Sequence, residues 1–161
     1  MTSPYEEDTI LKVGDPAPQF SLESYPAGQV SLKDFFGKQN VILAFYPKDN
    51  TPGCTKEMCT FSERRQEFAN ANTVILGVST DDTTSHKDFA TQYGLLNQLL
   101  SDTSRETGMA YGAVRGDRVI ADRVLFVIDK KGLIRHVHSG QPDFDELLEI
   151  VTALEKLQAD S

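Results

Sequence analysis

Cys54 and Cys59 are the only thiols in a chain of 161 residues, and they stand five positions apart in "TPGCTKEMC". A cysteine acts as a nucleophile only as its thiolate, so the element that carries it decides what it can do. Thr51 is a good N-cap residue, Pro52 suits the first helical position, and Gly53 lets the backbone approach a ligand closely. Cys54 then falls in the first turn of a helix, where the macrodipole and unpaired N–H groups favour a sulfur anion. The Thr51 hydroxyl is placed to reach the backbone or sulfur of Cys54. The N–H groups of Gly53 and Cys54 are placed to hold an incoming oxygen anion. Together these are the parts of a nucleophilic sulfur site.

On the same helix Cys59 lies a turn and a half further on, with its Cα about 8.6 Å from that of Cys54 and its side chain on a different side. A disulfide needs Cα atoms closer than about 7 Å, so joining the two requires the intervening turn to unwind. Such a pair is a poor staple and a workable switch. A peroxide is a suitable oxidant: attack on the O–O bond gives a sulfenic acid, which condenses with a second thiol. A partner dithiol then reduces the disulfide by exchange. Other readings compete. Cys59, near Met58 and Phe61, also reads as a small hydrophobe. A C-x4-C zinc site needs two more ligands, and the three histidines are His86, on a helix read as exposed, and His136 and His138, alternate residues of a hairpin strand. A dithiol carrier uses C-x-x-C, which this chain lacks.

The elements that must position these residues are legible in the apolar pattern. "VILAFY", residues 41–46, is a continuous apolar run closed by Pro47 and reads as a central strand buried on both faces. From Thr51 onward Met58, Phe61, Arg65 and Phe68 recur at helical intervals. Residues 73–80 read as a second buried strand, and "TTSHKDFATQYG" as a helix capped by Thr83 or Thr84 and stopped at Gly94. "NQLLSD" is a short apolar segment, and "SRETGMAYG" one or two helical turns. "RVLFVID" and "LIRHVHSG" flank Lys130 and Gly132 as a hairpin. "PDFDELLEIVTALEKL" is an amphipathic helix with Phe144, Leu147, Leu148, Val151, Leu154 and Leu157 on one face. Before the central strand, "FSLES" and "QVSL" form a hairpin through Pro26 and Gly28, and Ser31 caps a short turn stopped by Gly37. The order is that of an α/β protein with a mixed sheet flanked by helices, compatible with a thioredoxin-like core carrying an N-terminal β-hairpin extension.

Composition bounds the partners. The length suits a single domain over residues 1–161, with residues 1–10 loosely ordered. An excess of 24 acidic over 16 basic side chains, a net charge of −8, argues against a nucleic-acid surface. No apolar run is long enough for a membrane span, and the start lacks the basic and apolar stretches of a signal peptide. The chain reads as cytoplasmic, although an organelle-targeting segment removed earlier would leave no trace in it. Glu63, Arg64, Arg65 and Glu67 read as a solvated helix face, and Lys56 and Glu57 as exposed. The aromatics Phe35, Phe36, Phe61, Phe68 and Phe89 read as core.

"PKDNTPGC" matches the P-x-x-x-[TS]-x-x-C signature of peroxiredoxins, and "TPGCTKEMC" resembles their Q-type branch, the bacterioferritin comigratory proteins. "GDPAPQFSL", "VILGVSTDD", "SHKDFATQYGL", "LLSDTS" and "DRVLFVIDKKGLIRHV" extend the resemblance over most of the chain. It implies Cys54 as peroxidatic cysteine and Cys59 as the resolving cysteine that closes an intramolecular disulfide. It also implies a peroxide-binding hydroxyl on Thr51, a shielding Pro47, and Arg123 as the cation at the sulfur. The activity implied is reduction of hydrogen peroxide and organic hydroperoxides, without metal, haem or flavin, by a monomer recycled by a thioredoxin-type dithiol. The alternatives are a thioredoxin-like dithiol carrier and a non-enzymatic redox-sensing or chaperone module. Three features depart from the branch: "GLLNQLLSD" lacks the prolines common after Tyr93, Met58 replaces a common alanine, and "MAYGAVRGDRVIADR" is atypical.

Overall fold

The computed structural model describes residues 10–159. One seven-stranded sheet forms its centre, in the order β2-β1-β5-β4-β3-β6-β7. The strands are β1 (Ser21–Tyr25), β2 (Gly28–Ser31), β3 (Asn40–Phe45), β4 (Thr73–Ser79), β5 (Gln98–Ser101), β6 (Val124–Ile128) and β7 (Ile134–Ser139). The helices are α1 (Pro52–Asn70), α2 (Thr83–Tyr93), α3 (Glu106–Tyr111) and α4 (Phe144–Ala159). β3, β4 and β5 run parallel, whereas β1–β2, β1–β5, β3–β6 and β6–β7 are antiparallel. The mixed, thioredoxin-like sheet and its N-terminal hairpin are as the sequence predicts.

Every residue of β3 is buried, as its unbroken apolar run requires. Its alternation divides the core. Ile42, Ala44 and Tyr46 face a layer containing Phe61 and Phe68 of α1, Phe89 of α2 and Leu147 and Val151 of α4. Val41, Leu43 and Phe45 face the opposite layer, with Phe20, Leu32 and Tyr111. The apolar "NQLLSD" supplies β5, the strand that joins the N-terminal hairpin to the parallel strands.

Topology gathers one end of the sheet. Antiparallel pairing sets Phe45 opposite Val124, so the start of β6 lies beside the end of β3. Parallel pairing sets Phe45 opposite Val78, so the end of β4 lies there too. The loop from β3 into α1 therefore meets the residue before β6 and the start of α2, which is where open α/β sheets place ligands.

The readings of the α2 cap, Leu157 and His86 need correction. The cap of α2 is Asp82, whose carboxylate accepts from the Ser85 N–H at 2.8 Å, not Thr83 or Thr84. Leu157 is exposed rather than on the buried face of α4. The loosely held start falls mostly on residues 1–9, which lie outside the described residues, and Ile10 already packs on the core. His86 is fully buried because it shares the inner face of α2 with Phe89 and Ala90, three and four residues on. Gly94 stops α2 in the left-handed region, and Phe61, Phe68 and Phe89 are core, as expected. Among the described residues no helix is long and apolar enough to cross a membrane.

Candidate active site

α1 begins at Pro52, with Thr51 as an extended N-cap residue at φ −87° and ψ 153°. Cys54 lies in its first turn, fully buried beneath the start of β6. The N–H groups of such a turn have no carbonyl partner within the helix. Thr51 does not use its side chain to cap them. Its hydroxyl donates to the Lys48 carbonyl at 2.9 Å, so the expected contact with the backbone or sulfur of Cys54 is absent. With its proton committed to Lys48, the Thr51 oxygen keeps its lone pairs for an incoming donor. Pro47 follows the buried Tyr46 and is half-buried.

Arg123, immediately before β6, is the cation at this site. Its Nη2 donates to Cys54 Sγ at 3.4 Å, and its Nη1 donates to Glu57 Oε1 at 2.7 Å. One planar guanidinium thus bridges sulfur and carboxylate, a reach that a lysine ammonium cannot reproduce. Gly53 makes the approach possible, because a Cβ there would lie 2.8 Å from Arg123 Nη2. Gln141 closes the other side, donating from Nε2 to the Gly53 carbonyl at 2.8 Å.

Glu57, expected on the exposed face, is buried at 1% exposure. The signal lay in spacing: Cys54, Glu57, Met58 and Phe61 fall at i, i+3, i+4 and i+7, so a buried Cys54 and Phe61 carry Glu57 inward with them. Lys56 is exposed, as expected. Burial pushes the Glu57 carboxyl up from 4.5 to about 7, against the hydrogen bond and charge of Arg123. Burial also works against the Arg123 charge, but the bonds to Glu57 and Cys54 outweigh it and hold the guanidinium above its ordinary value. Both groups are held above their ordinary values, because burial weighs most on the Glu57 side chain, 1% exposed, and less on that of Arg123, 19% exposed. Arg123 is therefore the fixed charge, and Glu57 the partner that titrates.

The sign of the consequence is definite. A carboxyl raised in the folded state stabilises below its unfolded value and loses that contribution as pH rises through the folded value. The reduced protein should lose stability between pH 4.5 and about 7, by on the order of 3 kcal/mol at most. Glu57→Gln should flatten this slope. Urea unfolding of both reduced proteins at about pH 5 and about pH 8 checks it, and an unchanged slope in the variant would assign the titration elsewhere.

Cys59 is half-buried and, like Cys54, a free thiol. Burial and then the neighbouring Glu63 charge raise its thiol above the ordinary value, so it stays protonated at rest. His136 and His138 stack at 6.5 Å on β7. Among the described residues no group of three or more His, Cys, Asp and Glu side chains assembles in a form that could hold a metal ion. Arg64 and Glu67 pair at 2.9 Å on the outer face of α1, as their spacing suggested.

The AhpC/TSA family model matches residues 13–137 of the chain. The chloroplastic peroxiredoxin Q of Triticum aestivum is 38% identical over 130 residues, covering 80% of this chain and 59% of that protein. The chain thus spans less than two thirds of the length of that relative. A putative peroxiredoxin bcp of Coxiella burnetii is 38% identical over 133 residues, covering 79% of this chain and 87% of that one. Among solved structures, a variant of PrxQ from Xylella fastidiosa superposes with a TM-score of 0.83 at 26% identity, over 91% of this chain and 98% of that chain.

Proposed function

The chain belongs to the AhpC/TSA family and is akin to its peroxiredoxin Q and bcp members, and from that premise we propose that it is a thiol-dependent peroxidase working through Cys54 and Cys59. The observation that carries the proposal is the buried Cys54 sulfur, in the first turn of α1, receiving a hydrogen bond from a guanidinium held by a buried carboxylate.

Cys54 sulfur attacks the terminal oxygen of hydrogen peroxide or an organic hydroperoxide. The S–O bond forms, the O–O bond breaks, and water or an alcohol leaves after taking a proton, with Cys54 left as sulfenic acid. Arg123 stabilises negative charge as it moves from sulfur to the leaving oxygen. Thr51 accepts a hydrogen bond from the peroxide, whose attacked oxygen lies near the N–H groups of Gly53 and Cys54. Pro47 restricts water at the same edge. Cys59 sulfur then displaces hydroxide from the sulfenic sulfur as water, and a Cys54–Cys59 disulfide forms once the turn between them unwinds. A thioredoxin-type dithiol restores both thiols by exchange. Since both sulfurs come from one chain, the cycle needs no second copy, which favours a monomer. A reducing compartment such as the cytoplasm suits it.

Intact mass after one equivalent of hydrogen peroxide, with thiols blocked at the quench, tests this. The expected result is loss of two hydrogen atoms together with both blockable thiols. A gain of oxygen would leave Cys54 reactive but unresolved by Cys59. Two unchanged thiols would overturn the peroxidase and return the site to a dithiol carrier or a binding module.

A further inference from the structure

The loop that carries Pro47 and Thr51 is held by a buried charged network for which the peroxide chemistry has no direct use. Asp49, 7% exposed, receives three donors on its carboxylate. Tyr46 Oη donates to Oδ1 at 2.6 Å, Ser85 Oγ donates to Oδ2 at 2.8 Å, and His86 Nδ1 lies 2.7 Å from Oδ2. On the far side of the ring His86 Nε2 lies 2.9 Å from the Leu100 carbonyl of β5. A carbonyl only accepts, so Nε2 carries a proton. Between Nδ1 and the carboxylate a second proton is required, since two lone pairs at that separation would repel. Ring and carboxylate therefore hold one shared proton and no net charge, with the side chains 0% and 3% exposed.

The same loop is tied at its backbone. The Asp49 N–H donates to Asp81 Oδ2 at 2.8 Å, and Asp81 is itself held by the Ser79 hydroxyl at the end of β4. Next to it Asn50, in the left-handed region at φ 64°, accepts from the Tyr93 hydroxyl at 2.9 Å. These anchors lie on β4, β5 and α2 or directly beside β3 and β4, at Tyr46 and Asp81, and none lies on α1.

We infer that His86 is a positioning residue for peroxide reduction, its pair with Asp49 fixing residues 47–51 so that Thr51 keeps its place while the first turns of α1 unwind and rewind. The site then has a fixed half, hung from α2 and β5, and a moving half between Cys54 and Cys59. The inference rests on the proposed peroxidase reading. Removing one partner strands the other as a buried, unpaired group. The loop shifts, and an oxygen acceptor misplaced by about 1 Å is enough to slow a reaction by one to two orders of magnitude.

The test compares two rates at Cys54 in wild type, His86→Gln, Asp49→Asn and the double variant: oxidation by hydrogen peroxide and alkylation by iodoacetamide. Alkylation reports the sulfur's nucleophilicity and makes no use of Thr51. In each single variant the peroxide rate should fall about 10-fold or more while alkylation changes far less. The double variant should add little, as for partners in one interaction. A merely structural role would lower the melting temperature and leave the ratio of the two rates at its wild-type value, which overturns the inference. If wild type itself does not react with peroxide, the peroxidase reading fails first, and with it this one. Should the variants not fold, hydrogen exchange of the native protein decides. On oxidation the amides of residues 55–59 should lose protection while that of Asp49, bonded to Asp81, keeps it, and equal loss at both overturns the inference.

Discussion

Cys54→Ser should consume no peroxide at all, whereas Cys59→Ser should consume its first equivalent at the wild-type rate and then fail to turn over with the reductant. The first result follows from the nucleophile: a serine hydroxyl is not ionised near neutrality and does not cleave the O–O bond. The second follows from counting, because the chain holds two cysteines and no third thiol can resolve the sulfenic acid. Cys54 is also fully buried, so the sulfenic acid is out of reach of a protein dithiol until α1 opens. With further peroxide the Cys59→Ser protein should gain oxygen stepwise towards sulfinic acid instead of losing hydrogen. Peroxide consumption with a thioredoxin-type reductant, followed with intact mass, separates the cases. Sustained turnover by Cys59→Ser would mean that the reductant attacks Cys54 directly, and Cys59 would revert to a half-buried hydrophobe.

The opening of α1 has a definite energetic shape. Between the cysteines lie Glu57 and Met58, at 1% and 0% exposure. Met58 packs over β4, where a Cβ on Gly77 would lie 2.9 Å from its sulfur. Unwinding the turn withdraws Met58 from the core at about 1.5–3 kcal/mol and parts Glu57 from Arg123. The reduced state is thereby held closed with Cys54 against its cation. Once oxidised, the sulfur carries an added oxygen where it met the Arg123 Nη2 at 3.4 Å, which loosens that contact and favours release of the turn towards Cys59.

Much of this was legible in the sequence, and the exceptions share a physical cause. Strands with one burial environment, such as the continuous run of β3, announced themselves. So did the helix start at Thr51 and Pro52, because the preference of proline for the first helical position is local. What one-dimensional pattern did not reveal were polar residues on buried faces. Glu57 and His86 read as exposed from residue type, yet each stands three and four residues from buried apolar neighbours, and periodicity outranks type at such positions. Their partners, Arg123 and Asp49, lie 66 and 37 positions away, so only the pairing of β3 with β6 and the packing of α2 bring them together. Nothing local distinguished Arg123 from Arg115 or Arg118. The latter two bind Asp122 on the exposed loop, and resemblance to a family motif made the choice that topology explains.

Arg123→Met should lower the rate of Cys54 oxidation by hydrogen peroxide by about 10²–10³, the scale of removing one preorganised donor from a transition state. Methionine keeps an unbranched side chain and removes both donors of the fork. The sulfur loses the bond from Nη2 and Glu57 loses the one from Nη1. Left buried without a cation, Glu57 takes up its proton, which limits the damage to folding more than a permanently charged group would. The rate and the stability therefore separate: melting temperature falls modestly while reactivity falls steeply. Arg123→Lys tests geometry against charge. An ammonium is a compact point charge and cannot donate along two parallel directions to sulfur and carboxylate. With Glu57 as the competing acceptor, lysine should recover only part of the lost rate. Full recovery would mean that net positive charge suffices at this position. If Arg123→Met reacted as fast as wild type, the guanidinium would serve only to neutralise Glu57, and the stabilisation of the leaving oxygen would have to come from the first turn of α1 alone.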